Sequence, residues 1–317
     1  MSEVISSVHI YPFKSMAAAT VDGREPIELD AGLTGFTAYG VADRQWMLDY
    51  DGHFVSQRGW QPGSQKTQFK SDSRLATAEV DILRDHTRVT IPGKQGGTLE
   101  IANLAAMREP ASSLIHGNEF MAIDEGAAVA RFFTRVLGRQ VRLLRADMSQ
   151  PRQLGQLYQR PGASNHVAAA DGMPFLLTNQ ASLDALHDRA GLPRGTVAMG
   201  RYRPNIVVAG ERPFAEDGWR VIQAADFIAH VVKPCKRCPI PNINQQSGDI
   251  DNASNKILGV RSGDIAVEGA PSSRGMYFGQ NLNHHWLGGA VAVKAGQPLV
   301  ILEAAPEPNV RLARSWS

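Results

Sequence analysis

Cysteine is almost missing from this chain: Cys235 and Cys238 are the only two in 317 residues. Two thiols cannot build the disulfide framework of a small secreted protein. Long apolar runs are missing too, and none approaches the ~20 residues of a membrane span. Met1 to Ser7 show no basic segment followed by an apolar one, so no signal peptide is expected, and the chain is expected in the cytoplasm. Net charge is only +2, which gives no general argument for nucleic acid or an anionic membrane as a partner, and neither is expected. There is no internal repeat and no glycine-rich nucleotide-phosphate loop.

What is present is a globular composition, 43% apolar and 20% charged, on a chain long enough for two domains. The two cysteines fall in Lys233-Pro234-Cys235-Lys236-Arg237-Cys238-Pro239, after the apolar run Phe227 to Val232. An apolar run that stops at proline predicts a buried strand feeding a loop. Cations on either side of the thiols favour the thiolate, which is both nucleophile and soft metal ligand. Three uses compete for this pair. The thiols are small buried apolar residues. Or they hold zinc, which needs further ligands such as His230, His284 or His285. Or they serve redox or cofactor-metal chemistry through one thiolate. A thioredoxin-like pair should open a helix, whereas Pro239, Pro241 and Gly248 predict a loop.

Elsewhere the pattern is short strands and turns. Val4 to Tyr11 predicts a strand leading into Lys14-Ser15, an ammonium and a hydroxyl suited to a phosphate. Asp43 to Asp49, the Asp51-Gly52 turn and Phe54 to Arg58 predict a β-hairpin with Arg44 near the start of one strand and Arg58 near the end of the other. Asp124 to Leu137 predicts a helix capped by Asp124, with Val129, Phe132, Phe133, Val136 and Leu137 on one face and Gly138 closing it. A domain division is expected near Val141 to Leu144. Ser182 to Ala190 predicts a short helix with a serine cap. Arg201 and Arg203 stand at the mouth of the strand Ile206 to Val208, where they suit an anion. Gly275 to Leu282 reads as a turn packed close to a ligand, and Val291–Val293 with Leu299–Leu302 as a closing hairpin. The many short strands of the C-terminal half predict a barrel.

Six segments together carry a family resemblance: Tyr11-Pro12-Phe13-Lys14-Ser15, Asp43-Arg44-Gln45-Trp46, Asp171-Gly172-Met173-Pro174-Phe175, Arg203-Pro204-Asn205, Pro234-Cys235-Lys236-Arg237-Cys238 and Phe278-Gly279-Gln280-Asn281. In this order they resemble the MOSC-domain proteins, in the branch that includes the mitochondrial amidoxime-reducing component and its bacterial relatives. The resemblance implies a mainly β fold with α+β elements: an N-terminal β-barrel-like domain over 1–140 and a C-terminal MOSC β-barrel over 141–317. It implies a molybdenum cofactor, a molybdopterin dithiolene on molybdenum, with Cys238 as the protein thiolate and catalytic metal ligand. It implies that Lys14, Ser15, Arg44, Asp171, Gly172, Arg203, Asn205, Cys235, Lys236 and Asn281 contact the pterin or its phosphate. The implied activity is reduction of small N-hydroxylated compounds by N–O cleavage, with electrons from a separate redox protein. A non-catalytic cofactor carrier or a persulfide carrier on the same cysteines is the alternative, and a plain thiol–disulfide protein a second one. Related sequences often carry Val-Asp-Pro after the second cysteine, and Ile243-Asn244-Gln245 stands here, which leaves the proton source open among His230, Asp171 and water. A 2Fe–2S domain of the kind some relatives carry needs four cysteines, which this sequence does not have.

Overall fold

The computed structural model describes residues 2–56, 72–104, 109–265, 273–286, 288–305 and 310–312. It is mainly β, with three α-helices among the described residues. Two closed sheets dominate. In the larger, seven strands run in the spatial order Phe175–Asn179, Ile206–Val208, Ser2–Val8, Pro298–Ala304, Trp219–Ala224, Phe227–Lys236 and Ser273–His284. Pairing of the last with the first, Phe175 opposite Leu282, closes the ring. The smaller barrel joins Pro110–Ile115, Asn118–Asp124, Arg142–Ala146, Trp46–Tyr50 and His53–Phe54. Strands cross the expected division at 140/141 in both directions, because Ser2–Val8 lies in the larger barrel and Arg142–Ala146 in the smaller.

Closure removes the exposed edges that a set of short strands would otherwise present. One buried apolar cluster runs through both barrels, from Ile5 and Phe13 through Trp46 and Phe133 to Phe175, Phe227 and Leu299. Phe13 stacks on Trp46 with ring centroids 4.8 Å apart, and Phe175 meets Phe36 and Phe227 edge-on at 4.8 and 5.4 Å. Such pairs add to the free energy of burial alone.

The hairpin at Asp51-Gly52 forms as expected, with φ of 50° and 74° at the two turn residues. Such left-handed pairs match the twist of the flanking strands. The expected return strand ends at Phe54, and Gln57 and Arg58 lie outside the described residues. The apolar helix face is as expected, but the helix is Ala127–Leu137 and its cap is Gly126; Asp124 ends the preceding strand and accepts from the Gly126 N–H at 2.8 Å. The second helix is Gln180–Arg189, capped by Asn179, whose side chain accepts from the Ala181 N–H. Ser182 is instead buried and donates to Glu216. Tertiary burial of the hydroxyl outweighs its capping preference.

Three expectations fail for one reason, long-range pairing. The strand Phe227–Lys236 does not stop at Pro234; its register against Ser273–His284 slips twice, between Val231 and Lys233 and between Pro234 and Lys236. Irregularities of this kind tolerate proline and re-aim side chains. Gly275 to Leu282 is not a turn but part of the strand Ser273–His284. Val291–Lys294 pairs with Glu28–Gly32, while Pro298–Ala304 enters the larger barrel, so the two do not form a hairpin with each other.

Gly279 sits where the closing strand passes Phe175–Asn179. Its φ is +81°, and a Cβ there would meet the Leu177 carbonyl oxygen at 2.7 Å and Thr178 Cγ2 at 2.9 Å. Gly279→Ala combines left-handed strain with a backbone clash and is expected to cost about 2–4 kcal/mol of stability. Urea denaturation checks this, and an unchanged midpoint would show that the barrel seam can open to admit the methyl group.

Candidate functional site

Lys14 and Ser15 are fixed by a short parallel contact. The Lys14 N–H donates to the Trp46 carbonyl at 2.7 Å and the Trp46 N–H to the Pro12 carbonyl at 2.9 Å. The same loop is joined to Arg44, whose N–H donates to the Tyr11 carbonyl at 2.7 Å. Asp43 beside it is buried, accepts from the Tyr11 N–H at 2.8 Å and from Asn205 Nδ2 at 3.1 Å, and pairs with Arg44. Three segments far apart in sequence are thereby brought to one place. Phe227–Lys236 and Ser273–His284 bring in Cys235, Lys236 and Asn281, and Asp171-Gly172 arrives on the loop before Phe175.

The result is one cavity lined by all eleven residues named from the sequence. Among the described residues five cations line it, Lys14, Arg44, Arg203, Lys236 and Arg237, against a single lining carboxylate, Asp171. Burial pulls the Lys14 ammonium below its ordinary value, and Asp171 pulls it partly back. Its Nζ donates to the Ala169 carbonyl at 2.9 Å and to Asp171. Burial pushes the Asp171 carboxyl up, but Lys14 and His116 outweigh this and hold it well below the usual carboxylate range. Arg203 is pulled down to about 10 by burial and by Arg44 beside it. The guanidinium carbons of Arg44 and Arg203 both lie 4.5 Å from the Tyr11 ring centroid. This arrangement carries more positive charge than its own carboxylates neutralise, and it suits an anion.

Ser15, Arg44 and Arg203 all have left-handed backbones, with φ of 69°, 51° and 56°. Each costs of order 1–3 kcal/mol for a residue with a side chain, and such strain gathers at functional sites. Both Asn205 donors go to the protein, to the His9 carbonyl and Asp43, and its oxygen accepts from the Leu176 N–H and Arg44. Asn205 therefore lines the cavity while holding Arg44 in place.

The cysteines sit half-buried at the cavity wall and are not disulfide-bonded. Arg237 donates to Cys235 Sγ at 2.9 Å and to the Tyr202 carbonyl at 2.8 Å, while its buried Nε has no partner among the described residues. Among the described residues no group of three or more Cys, His, Asp or Glu could hold a metal ion. The zinc candidates do not join the cysteines. None lines the cavity: His230 and His285 face each other, Nε2 to Nε2, at 2.9 Å, and His284 is buried against Phe175. Arg58 lies outside the described residues. Arg237 and His116 line the cavity but were not among the site residues read from the sequence. Arg237 was visible in the cysteine segment. His116 stands in an unremarkable Ile-His-Gly-Asn turn and has no local signal.

A family model described as MOSC domain matches residues 164–299, and one described as MOSC N-terminal beta barrel domain matches residues 2–140. Among named proteins, the chain is 29% identical over 289 residues to the mitochondrial amidoxime reducing component 2 of Rattus norvegicus, covering 86% of this chain and 78% of that one. It is 25% identical over 311 residues to the mitochondrial amidoxime-reducing component 1 of Homo sapiens, covering 94% and 82%. It is also 24% identical over 276 residues to the molybdenum cofactor sulfurase of Arabidopsis thaliana, covering 82% of this chain but only 31% of that protein.

Asp171→Asn removes the carboxylate that faces the buried Lys14 ammonium. The lowered pKa of Asp171 stabilises the fold fully above the unfolded carboxylate value of about 3.9, and this is lost as pH falls through the lower folded value. Asp171 is 62% exposed, so solvent screens the pair, and the variant is expected to be less stable by only about 0.5–1 kcal/mol at neutral pH, with the gap to wild type closing as the medium becomes acid. Urea denaturation across pH checks this, and a gap that is absent at neutral pH would remove the pair from the account.

Proposed function

The chain belongs to the MOSC-domain proteins, with a MOSC N-terminal β-barrel domain ahead of the MOSC domain, and on that footing we propose that it is a molybdenum-cofactor-dependent oxidoreductase that reduces N-hydroxylated compounds. The observation that carries this reading is the meeting of six separate segments on one cation-rich cavity with two thiols in its wall. The donor set fits the group. A pterin phosphate needs Lys, Arg or N–H donors, and the cavity offers five cations, one with a buried Nε still unpartnered. Molybdenum needs a soft ligand, and Cys238 supplies a thiolate on the same wall. When bound, the cofactor supplies two-electron redox chemistry and an acceptor for the substrate oxygen.

The residues of this chain have the complementary tasks. Cys238 holds the metal, and Lys14, Ser15, Arg44, Arg203, Lys236 and Asn281 hold the pterin and its phosphate. Asp43 and Asn205 fix the Arg44 side chain, and the Met16 and Phe13 carbonyls that of Arg203. Electrons come from a separate electron-transfer protein, the substrate is a small hydroxylamine, amidoxime or related N-hydroxylated compound, and the protein works in the cytoplasm. The relatives named for amidoxime reduction support this reading. A second reading, a carrier of sulfur as persulfide, is favoured by the Arg237 contact to Cys235 Sγ, which would stabilise an anionic sulfur.

Elemental analysis of protein from a host that makes the cofactor separates the two. Near-stoichiometric molybdenum is expected in the wild type, falling to background in Cys238→Ala with the fold intact by circular dichroism, and Cys235→Ala is expected to be milder. Well-folded wild type without molybdenum would end the reductase reading and turn attention to persulfide on Cys235. A larger loss in Cys235→Ala than in Cys238→Ala would show that the metal ligand is assigned to the wrong cysteine.

A further inference from the structure

His116 sits in the turn between Pro110–Ile115 and Asn118–Asp124 of the smaller barrel, yet it lines the cavity of the larger one. Its φ is 51° and that of Gly117 is 82°, the left-handed pair of a tight hairpin turn. Its Nε2 lies 3.1 Å from Asp171 Oδ1, and its ring meets Phe54 edge-on at 5.3 Å. Lys14 Nζ lies 4.6 Å from the same Phe54 ring. The imidazole is thus held by a carboxylate and an aromatic ring, while 49% of the side chain remains exposed to solvent.

From this geometry we infer that His116 is the proton donor of the cavity, with Asp171 as its positioning residue. The inference rests on the reductase reading. Reduction of a hydroxylamine, R–NH–OH + 2 e⁻ + 2 H⁺ → R–NH₂ + H₂O, breaks the N–O bond and forms one N–H and one O–H bond. The electrons come from the separate redox protein, and the protons must come through groups that line the cavity. His116 delivers them in turn, and each is replaced from solvent on its exposed side.

Of the other lining groups, Cys238 and Lys236 are assigned to the metal and the pterin on the reductase reading, and the rest are engaged elsewhere. The Asp171 carboxyl is held well below the usual range and carries no proton near neutral pH. Lys14 is held by the Ala169 carbonyl and Asp171. Arginines do not release protons under these conditions. Burial pushes the Tyr202 hydroxyl up to about 12. Cys235 accepts from Arg237, and His230 faces His285 away from the cavity lining. Imidazole is the side chain whose charge ordinarily changes between pH 5 and 8. The charged groups facing it are Asp171 and, behind it, Lys14 and Arg152. The neighbouring strand contributes Phe54, and its own hairpin contributes Asn118.

The test uses full-length, cofactor-loaded protein, His116→Gln and His116→Gly, the latter suited to the left-handed turn. Molybdenum and pterin content and the melting temperature of cofactor-free protein are measured beside the pH profile of hydroxylamine reduction with an artificial electron donor. The inference expects unchanged content and melting, kcat lower by ~10²–10⁴-fold, loss of the pH limb due to the imidazole, and partial rescue of His116→Gly by added imidazole. Unchanged kcat and pH profile with full molybdenum would overturn the inference and leave the reductase reading standing. Loss of molybdenum in either variant would also overturn it, since His116 would then hold the cofactor. A wild type that holds molybdenum but reduces no N-hydroxylated compound would end the reductase reading, and the inference with it.

Discussion

The cavity depends on one buried carboxylate. Asp43 is 1% exposed and satisfies the Tyr11 N–H, the Asn205 amide and the Arg44 guanidinium at once. Burial pushes its carboxyl up, and Arg44 is the largest influence in the other direction. Stripping water from a carboxylate costs several kcal/mol unless its oxygens find donors. Here each donor comes from a segment that carries the site. The Tyr11 segment leads into Lys14 and Ser15, Arg44 is next in sequence, and Asn205 stands two residues after Arg203. A single electrostatic requirement therefore sets the relative positions of four of the proposed anion-binding residues.

The same neighbourhood is strained and overcharged. Four residues with side chains, Ser15, Arg44, His116 and Arg203, hold left-handed backbones around the cavity, and Arg203 sits close enough to Arg44 for each to feel the other's charge. A ligand-free fold gains nothing from either feature. Hydrogen bonds hold them in place: the Arg44 N–H on the Tyr11 carbonyl, the Arg203 N–H on the Gly200 carbonyl, and the Arg203 guanidinium on the Met16 carbonyl. Closed barrels supply the stiffness this needs, because moving one strand would break pairing on both of its sides. An anion bound in the cavity would relieve the repulsion, which gives the proposed cofactor phosphate a physical reason to be there.

The two barrels have different shares in the site. Thiols, most of the lining cations and Asn281 come largely from the larger barrel and its loops, and the register slips beside Pro234 turn the cysteine segment toward the cavity wall. The smaller barrel contributes Phe54 from a strand and His116 from a turn. Its part is to cover the cavity and to place one imidazole beside Asp171.

Residue chemistry was legible without any structure. A thiol pair among cations, Lys14-Ser15 after a strand, arginines at strand mouths and the Asp51-Gly52 turn are local signals, because each depends on neighbours a few residues away. The order of the six motifs added the family, and with it the eleven positions that the cavity gathers. Other features depend on partners distant in sequence and leave no local trace. The strand through Pro234 is held by pairing with Ser273–His284. Asn205 is drawn to Asp43 across a separation of 162 residues, and His116 to Asp171 across 55. The sequence by itself determined which chemistry the chain can offer, since acidity, softness and turn preference belong to residue types and near neighbours. Only the tertiary structure decided that Asn205 holds an arginine and that His116 stands at the cavity, because hydrogen-bond partners and burial are set by packing between distant strands.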